Sequence, residues 1–311
     1  MIDEKIVTKK RVPLLATLAA FLMPGLGQLY NGQATKALLL FLAIGIAMPV
    51  CSWLALQGPD SALWWATLIG TLIVVVLYIY TIADAFIVAK RTDDDYKLQG
   101  FNRTYIYMVV FILGYFVIYA DLANYSRGHL LESFRIPSQS MLPNVLPGDF
   151  ILADKRVNCL GCKYRVNRGD LAIFVSPNDR TRLFIKRIIA LPGDTVEINS
   201  MDVKVNGVSV RSSTPVGEDE QHYTYSERSD SGNYKVIWKK GVQARQSYTL
   251  TVPNGHVFTL GDNRDATRDS RHEGPIPMVD VVGKAKQVWF SYDGTQGRFR
   301  WERIGKLLNE E

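Results

Sequence analysis

Phe134-Arg135-Ile136-Pro137-Ser138-Gln139-Ser140-Met141-Leu142-Pro143-Asn144-Val145-Leu146-Pro147-Gly148-Asp149 divides the chain into two unlike parts. Apolar runs precede it, and short alternating segments follow it. Its three prolines and one glycine exclude a regular helix. Pro137 and Pro143 frame two serines and a methionine, which stiffens the backbone and holds Ser140 at a bend. A rigid hydroxyl between membrane-like and sheet-like sequence is the pattern of a nucleophile held near a bilayer surface. Taken alone, the stretch reads more readily as a Pro-rich linker with incidental serines.

Upstream, Ala37–Leu56 and Ala62–Ala83 are free of charge and long enough to span a bilayer. Thr104–Ala120 is shorter and carries Tyr105, Tyr107, Tyr115 and Tyr119, residues suited to the interface. Val12–Met23 is about half a bilayer long before Pro24-Gly25-Leu26-Gly27 interrupts it. Lys90, Arg91, Lys97 and Arg103 put the loop 90–103 inside, and the base-free loop 57–61 outside. With the N-terminal lysines also inside, Val12–Asn31 is expected to dip in or lie at the interface. The expectation is three spans, a membrane region over 1–123 and an exported domain over 124–311. The stretch Pro24–Asn31 reads as a hairpin between apolar segments; a partner-binding role is the alternative.

Downstream, Phe150–Ala153, Leu171–Val175, Leu183–Ala190, Thr195–Ile198, Val203–Val205, Tyr248–Val252, Val257–Leu260 and Val281–Ser291 read as strands. Gly-Asp and Asn-Gly turns punctuate them. Ser212–Gln246 is polar and is expected to be an irregular excursion. The fold class that results is an N-terminal α-helical membrane anchor followed by a mainly antiparallel β catalytic domain, a partly open barrel.

Composition narrows the chemistry. Of 311 residues 47% are apolar, crowded into the N-terminal third, and the net charge is +6. No Lys/Arg run is interleaved with aromatics, so the excess charge serves solubility and attraction to anionic lipid, not nucleic acid. Of three cysteines, Cys51 sits in an apolar run, and Cys159 and Cys162 form a lone C-x-x-C. A zinc site would need a second ligand pair; a small disulfide is the expectation, with free thiols as the alternative. His272-Glu273 lacks the second histidine of H-E-x-x-H, no G-x-S-x-G occurs, and the aspartates after Gly261 lack EF-hand spacing. No metal or cofactor is implied.

Lys186 remains. In a strand over 183–190 it shares a face with Phe184 and Ile188, while Ile185, Arg187 and Ile189 take the other. Apolar neighbours desolvate the amine and lower its pKa, so that it can act as a base toward a serine. Alone, such a lysine reads as a packed stem with its head in water. The polar loop Gly261–Arg271 could brace a site or be merely solvated.

Together, Ile136–Pro143 with Gly148-Asp149, Arg168-Gly169-Asp170, Lys186-Arg187 with Leu191-Pro192-Gly193-Asp194, and Gly261–Arg271 resemble the boxes of type I signal peptidases. Their order after a membrane anchor is also similar. The likeness runs from Phe134 to Ser291, with a weaker echo at Arg300–Gly305. It implies Ser140 as nucleophile, Lys186 as general base, and an oxyanion hole from the Ser140 N–H and the Ser138 hydroxyl. Thr267 stands where the family has a serine that orients the lysine; Ala266 replaces a common asparagine. Arg187, Asp262, Asp269 and Arg271 would be structural support. Phe134, Ile136, Pro137, Met141, Val145, Phe184 and Ile185 would line shallow pockets for small side chains. The resemblance implies a cofactor-free, monomeric peptidase of the bacterial inner membrane with its catalytic domain on the exported side. Its partners would be preprotein signal peptides, membrane lipid and the secretion translocon. A lysine base fits the bacterial or organellar branch. The alternatives are a serine–lysine peptidase with a narrow substrate set and a non-catalytic membrane assembly factor.

Overall fold

Pro13, whose fixed φ suits a first helical position, opens α1, Pro13–Leu22. The computed structural model describes residues 8–157, 166–242 and 247–308; Cys159 and Cys162 lie outside them. After α1 the chain reverses at Gly25, in the left-handed region at φ 88°, into the short α2, Leu26–Tyr30. Gly27 permits the return: a Cβ there would lie 2.4 Å from Ala16 O and 2.8 Å from the Ala20 and Ala85 side chains. Only a bare α-carbon fits so close a backbone approach. The Pro24–Asn31 stretch is therefore a hairpin, and its amides fasten it. Gln28 Nε2 donates to Thr81 O at 2.8 Å and to Asp84 Oδ2 at 3.0 Å, and Asn31 Nδ2 donates to Ala85 O at 2.8 Å.

The long helices follow: α3, Ala34–Ala55, and α4, Leu63–Arg91. Then α5, Thr104–Ile112, passes through a π-helical turn at Leu113–Tyr119 into α6, Ala120–His129. Among the described residues, three helical stretches are long and apolar enough to cross a membrane: Ala34–Ala55, Asp60–Arg91 and Thr104–His129. The last carries helix past the expected divide at 123/124, because Ala120–His129 continues the backbone hydrogen bonding of the apolar part. The chain separates into two compact units, with the second taking Pro59–Trp64 and everything from Leu131 onward.

That second unit is built of β1 (Leu131–Arg135), β2 (Asp149–Asp154), β3 (Leu171–Val175), β4 (Leu183–Ala190), β5 (Thr195–Asn199), β6 (Asp202–Val205), β7 (Val208–Ser209), β8 (Gly217–Glu218), β9 (His222–Ser229), β10 (Gly232–Lys239), β11 (Tyr248–Thr251), β12 (His256–Leu260), the short helix α7 (Ser270–Glu273), β13 (Ile276–Pro277) and β14 (Val281–Asp293). The main sheet runs β1-β2-β14-β3-β4-β12-β13, antiparallel throughout, and its two ends do not pair; it is a half-barrel. Two smaller antiparallel sheets, β10-β9-β8 and β11-β5-β6-β7, flank it. This is the expected anchor-plus-antiparallel-β class. Ile136, Met141, Val145, Ile151, Leu171, Ile173, Ile185 and Val288 form one core cluster.

One expectation fails. The part of Ser212–Gln246 expected to be an excursion is built instead on a long hairpin over 222–239, in which β9 and β10 pair from His222↔Lys239 to Ser229↔Gly232. Its inward side chains Tyr225, Tyr234, Val236 and Trp238 join the core cluster of Ile189, Val196, Phe258 and Leu260. The segment reads as polar because Arg228, Lys235 and Lys239 hold outer positions and Glu227 adds a charge on the inward face, which is otherwise mostly aromatic.

Candidate active site

The stretch 134–149 is fastened at both ends before any catalytic question arises. Ile136 N–H donates to Asp149 O at 2.8 Å, and Gly148 N–H returns to Ile136 O at 2.8 Å. The Asp149 carboxylate, fully buried, accepts from Leu146 N–H at 2.8 Å and from Arg303 Nε at 2.9 Å. Arg303 Nη2 also reaches Asn144 O at 2.9 Å. The echo at Arg300–Gly305 thus has a physical basis: it supplies the cation that this carboxylate needs. Between these ties Met141 and Val145 are fully buried, and Ser140 is left half-buried at the surface of the loop.

Strand β4 brings Lys186 to it. Phe184 and Ile188 pack with Phe174 and Val257, whereas Ile185 packs with Leu171 and Ile173, so alternate side chains enter different clusters. Lys186 is 5% exposed, and its Nζ lies 2.9 Å from Ser140 Oγ and 3.0 Å from Ile185 O, with the Phe184 ring centroid at 5.8 Å. Burial pulls its pKa down to about 8, against the opposing pull of the Asp269, Asp262 and Glu273 carboxylates.

Arg187, next along the strand, does not add repulsion. It is fully buried and donates from Nε and Nη2 to both Asp262 oxygens, at 2.8 and 2.7 Å, and from Nη1 to Gly169 O at 2.6 Å. Its charge is compensated locally by the Asp262 carboxylate. Asp269 is engaged by Arg271, whose Nε lies 2.9 Å from Oδ1 and whose Nη2 lies 2.9 Å from Oδ2.

Ser138 Oγ lies 3.2 Å from Ser140 Oγ. Thr267 is beside the pair: a Cβ on Gly261 would lie 2.6 Å from its Oγ1 and 2.7 Å from Ser140 O. Its hydroxyl, however, turns to Arg268 O at 3.4 Å, a long contact, and does not bond Lys186. Phe134 packs against the cluster that contains Ile136, Met141, Val145 and Ile185; Phe184 belongs to its neighbour, and Pro137 is exposed.

Sequence reasoning missed Glu227. This carboxylate on β9 is fully buried against Arg264 of the Gly261–Arg271 loop. The available signal was its position two residues after Tyr225, on the inward face of an alternating strand. Among the described residues no group of three or more His, Cys, Asp or Glu is arranged to hold a metal ion.

The chain is similar to signal peptidase I of Buchnera aphidicola, at 29% identity over 71% of this chain and 85% of that protein. It is similar to signal peptidase I of Pseudomonas aeruginosa, at 34% identity over 53% of this chain and 67% of that protein. A crystal structure of a signal peptidase I from Enterococcus faecalis V583 shares 29% identity, covering 39% of this chain and 97% of that one, at a TM-score of 0.28 that adds nothing on fold. The family model described as "Signal peptidase, peptidase S26" matches residues 106–290, a span that takes in the serine loop, β4 and the Gly261–Arg271 loop together. The chain therefore belongs to the signal peptidases of peptidase family S26, which remove signal peptides from preproteins.

Proposed function

We propose that the protein cleaves signal peptides with Ser140 as nucleophile and Lys186 as general base. The observation that carries this reading is the 2.9 Å contact between Ser140 Oγ and Lys186 Nζ, the one partner half-buried and the other enclosed. A lysine held near pKa 8 has a substantial neutral fraction at neutral to mildly alkaline pH. Neutral Nζ takes the hydroxyl proton as Oγ attacks the scissile carbonyl. The resulting oxyanion sits on the Ser140 N–H and the Ser138 hydroxyl, each such donor being worth about 2.7–4 kcal/mol in the transition state. The ammonium returns its proton to the leaving amine. A water deprotonated by the same lysine then hydrolyses the acyl-enzyme.

Thr267 would turn its hydroxyl from Arg268 O to Nζ when substrate claims Ser140 Oγ. Phe134, Ile136, Pro137, Met141, Val145, Phe184 and Ile185 would form the surface that accepts small side chains before the cut. With the loop 90–103 inside, three spans would place the domain from residue 131 on the exported side of a bacterial cytoplasmic membrane. Lipid and the translocon would be its neighbours there. Cleavage of a preprotein by purified wild type, Ser140→Ala and Lys186→Ala is the test. Turnover should fall by several orders of magnitude in both variants; near-wild-type turnover in either refutes the pair.

A further inference from the structure

The hairpin β9–β10 lies outside the loops that carry the serine, the lysine and their immediate supports, yet it holds a fully buried carboxylate. Glu227 accepts from Arg264 Nη1 on Oε1 and from Nη2 on Oε2, both at 2.5 Å, and from the Tyr234 hydroxyl on Oε2 at 2.9 Å. Both side chains of the ion pair are wholly enclosed. A buried ion pair of this kind adds little to stability that apolar side chains of the same volume would not. Its effect must be sought in what it positions.

Arg264 is built into the turn that follows β12. Its Nε donates to Gly261 O at 3.1 Å, and its backbone N–H donates to Ile237 O of β10 at 3.0 Å. Ile237 N–H in turn donates to Asp262 O at 3.0 Å. The hairpin thus grips this turn through backbone and side chain alike. Between Asp262 and Arg264 stands Asn263, and it faces the serine. Asn263 N–H donates to Ser140 O at 3.1 Å, and Asn263 Nδ2 donates to Gln139 O at 3.2 Å.

The second bond bears on the chemistry. The Gln139–Ser140 peptide is planar and trans, so its N–H points opposite to its C=O. Whatever holds Gln139 O therefore aims the Ser140 N–H. That N–H is the backbone oxyanion donor of the serine–lysine reading, on which this inference rests.

We infer that Glu227 is a positioning residue for the oxyanion hole. It holds Arg264, Arg264 holds the turn, and Asn263 in that turn sets the peptide plane that presents the Ser140 N–H. Glu227 touches neither substrate nor Lys186. Its loss should lower kcat and leave both KM and the acidic limb of the pH profile in place.

Two full-length variants in detergent test this: Glu227→Gln, which removes the charge at constant shape, and the double variant Glu227→Leu/Arg264→Met, which fills the site with apolar side chains. Active sites are titrated so that kcat is per folded enzyme, and Tm is read alongside. The expected result is a fall in kcat of about 10- to 100-fold, the scale of a small misplacement of reacting groups. A merely structural role would lower Tm and leave kcat per titrated site unchanged. If Glu227→Gln does not fold, the double variant decides; if neither folds, Tyr234→Phe, which removes one hydrogen bond from Glu227, should still lower kcat severalfold. Wild-type kcat in whichever folded variant decides overturns the inference. Ser140→Ala run in parallel separates the two failures: activity there refutes the serine–lysine reading, whereas activity confined to the Glu227 variants refutes only this one.

Discussion

Arg187 and Asp262 meet through two hydrogen bonds, at 2.8 and 2.7 Å, with both side chains out of solvent and Lys186 one residue away along β4. The pairing cancels the positive charge that would otherwise act on the lysine. It leaves burial as the cause that lowers the Lys186 pKa and the acidic groups of the neighbouring loop as the opposing one. The amine is tuned by a balance between enclosure and carboxylates.

The first prediction follows from that balance. kcat/KM should rise with pH through an acidic limb near 8, as the free enzyme loses the Lys186 proton. Glu273→Gln removes a carboxylate that favours the ammonium, so the limb should move down. Phe184→Ser hydrates the amine, so the limb should move up. A pH–rate series on the three proteins checks both signs; an unmoved limb would mean that some other group is titrating.

The buried pair itself can be broken from either side. Arg187→Leu or Asp262→Leu alone leaves an uncompensated buried charge and should cost about 3–5 kcal/mol of stability. The double variant should cost much less than the sum. Denaturant unfolding of the four proteins measures the coupling, and additive losses would contradict the pairing.

Gly261→Ala tests the close approach of the turn to the serine. The new methyl would meet Ser140 O at 2.7 Å and Thr267 Oγ1 at 2.6 Å. The serine loop must shift, and activity should fall by about 100-fold while the protein stays folded. Steady-state kinetics with a thermal melt is the measurement, and unchanged kinetics would show that the loop yields freely.

Topology has its own readout. A reporter that works only after export should be silent when fused after Lys97 and active when fused after Asn206. The reverse pattern would move the N-terminal lysines across the membrane and overturn the three-span arrangement.

Strands β3 and β4 were legible to the residue, because Leu171–Val175 and Leu183–Ala190 are apolar runs bounded by turn residues. The apolar helices were legible from length and absence of charge. The hairpin β9–β10 was not: Glu227, Arg228, Lys235 and Lys239 make its composition polar, and only the period-two placement of Tyr225, Tyr234, Val236 and Trp238 marks it as core. β1 was missed because Leu-Glu-Ser-Phe-Arg is a short edge strand with no strong alternation. At the site, the meeting of Ser140 with Lys186 could be anticipated from residue chemistry and resemblance together. The hydroxyl direction of Thr267 and the partner of Arg187 could not, since each is settled by which acceptor lies nearest in the folded packing.

The Asp149–Arg303 pair ties the closing of the serine loop to a segment more than 150 residues away along the chain. Asp149 closes that loop, its carboxylate is buried, and among the described residues the cation paired with it is Arg303. Closing the loop without that cation would bury a lone negative charge, which is strongly disfavoured. The loop around Ser140 and the segment that carries Arg303 are therefore expected to fold as one cooperative step, so that neither is ordered while the other is loose.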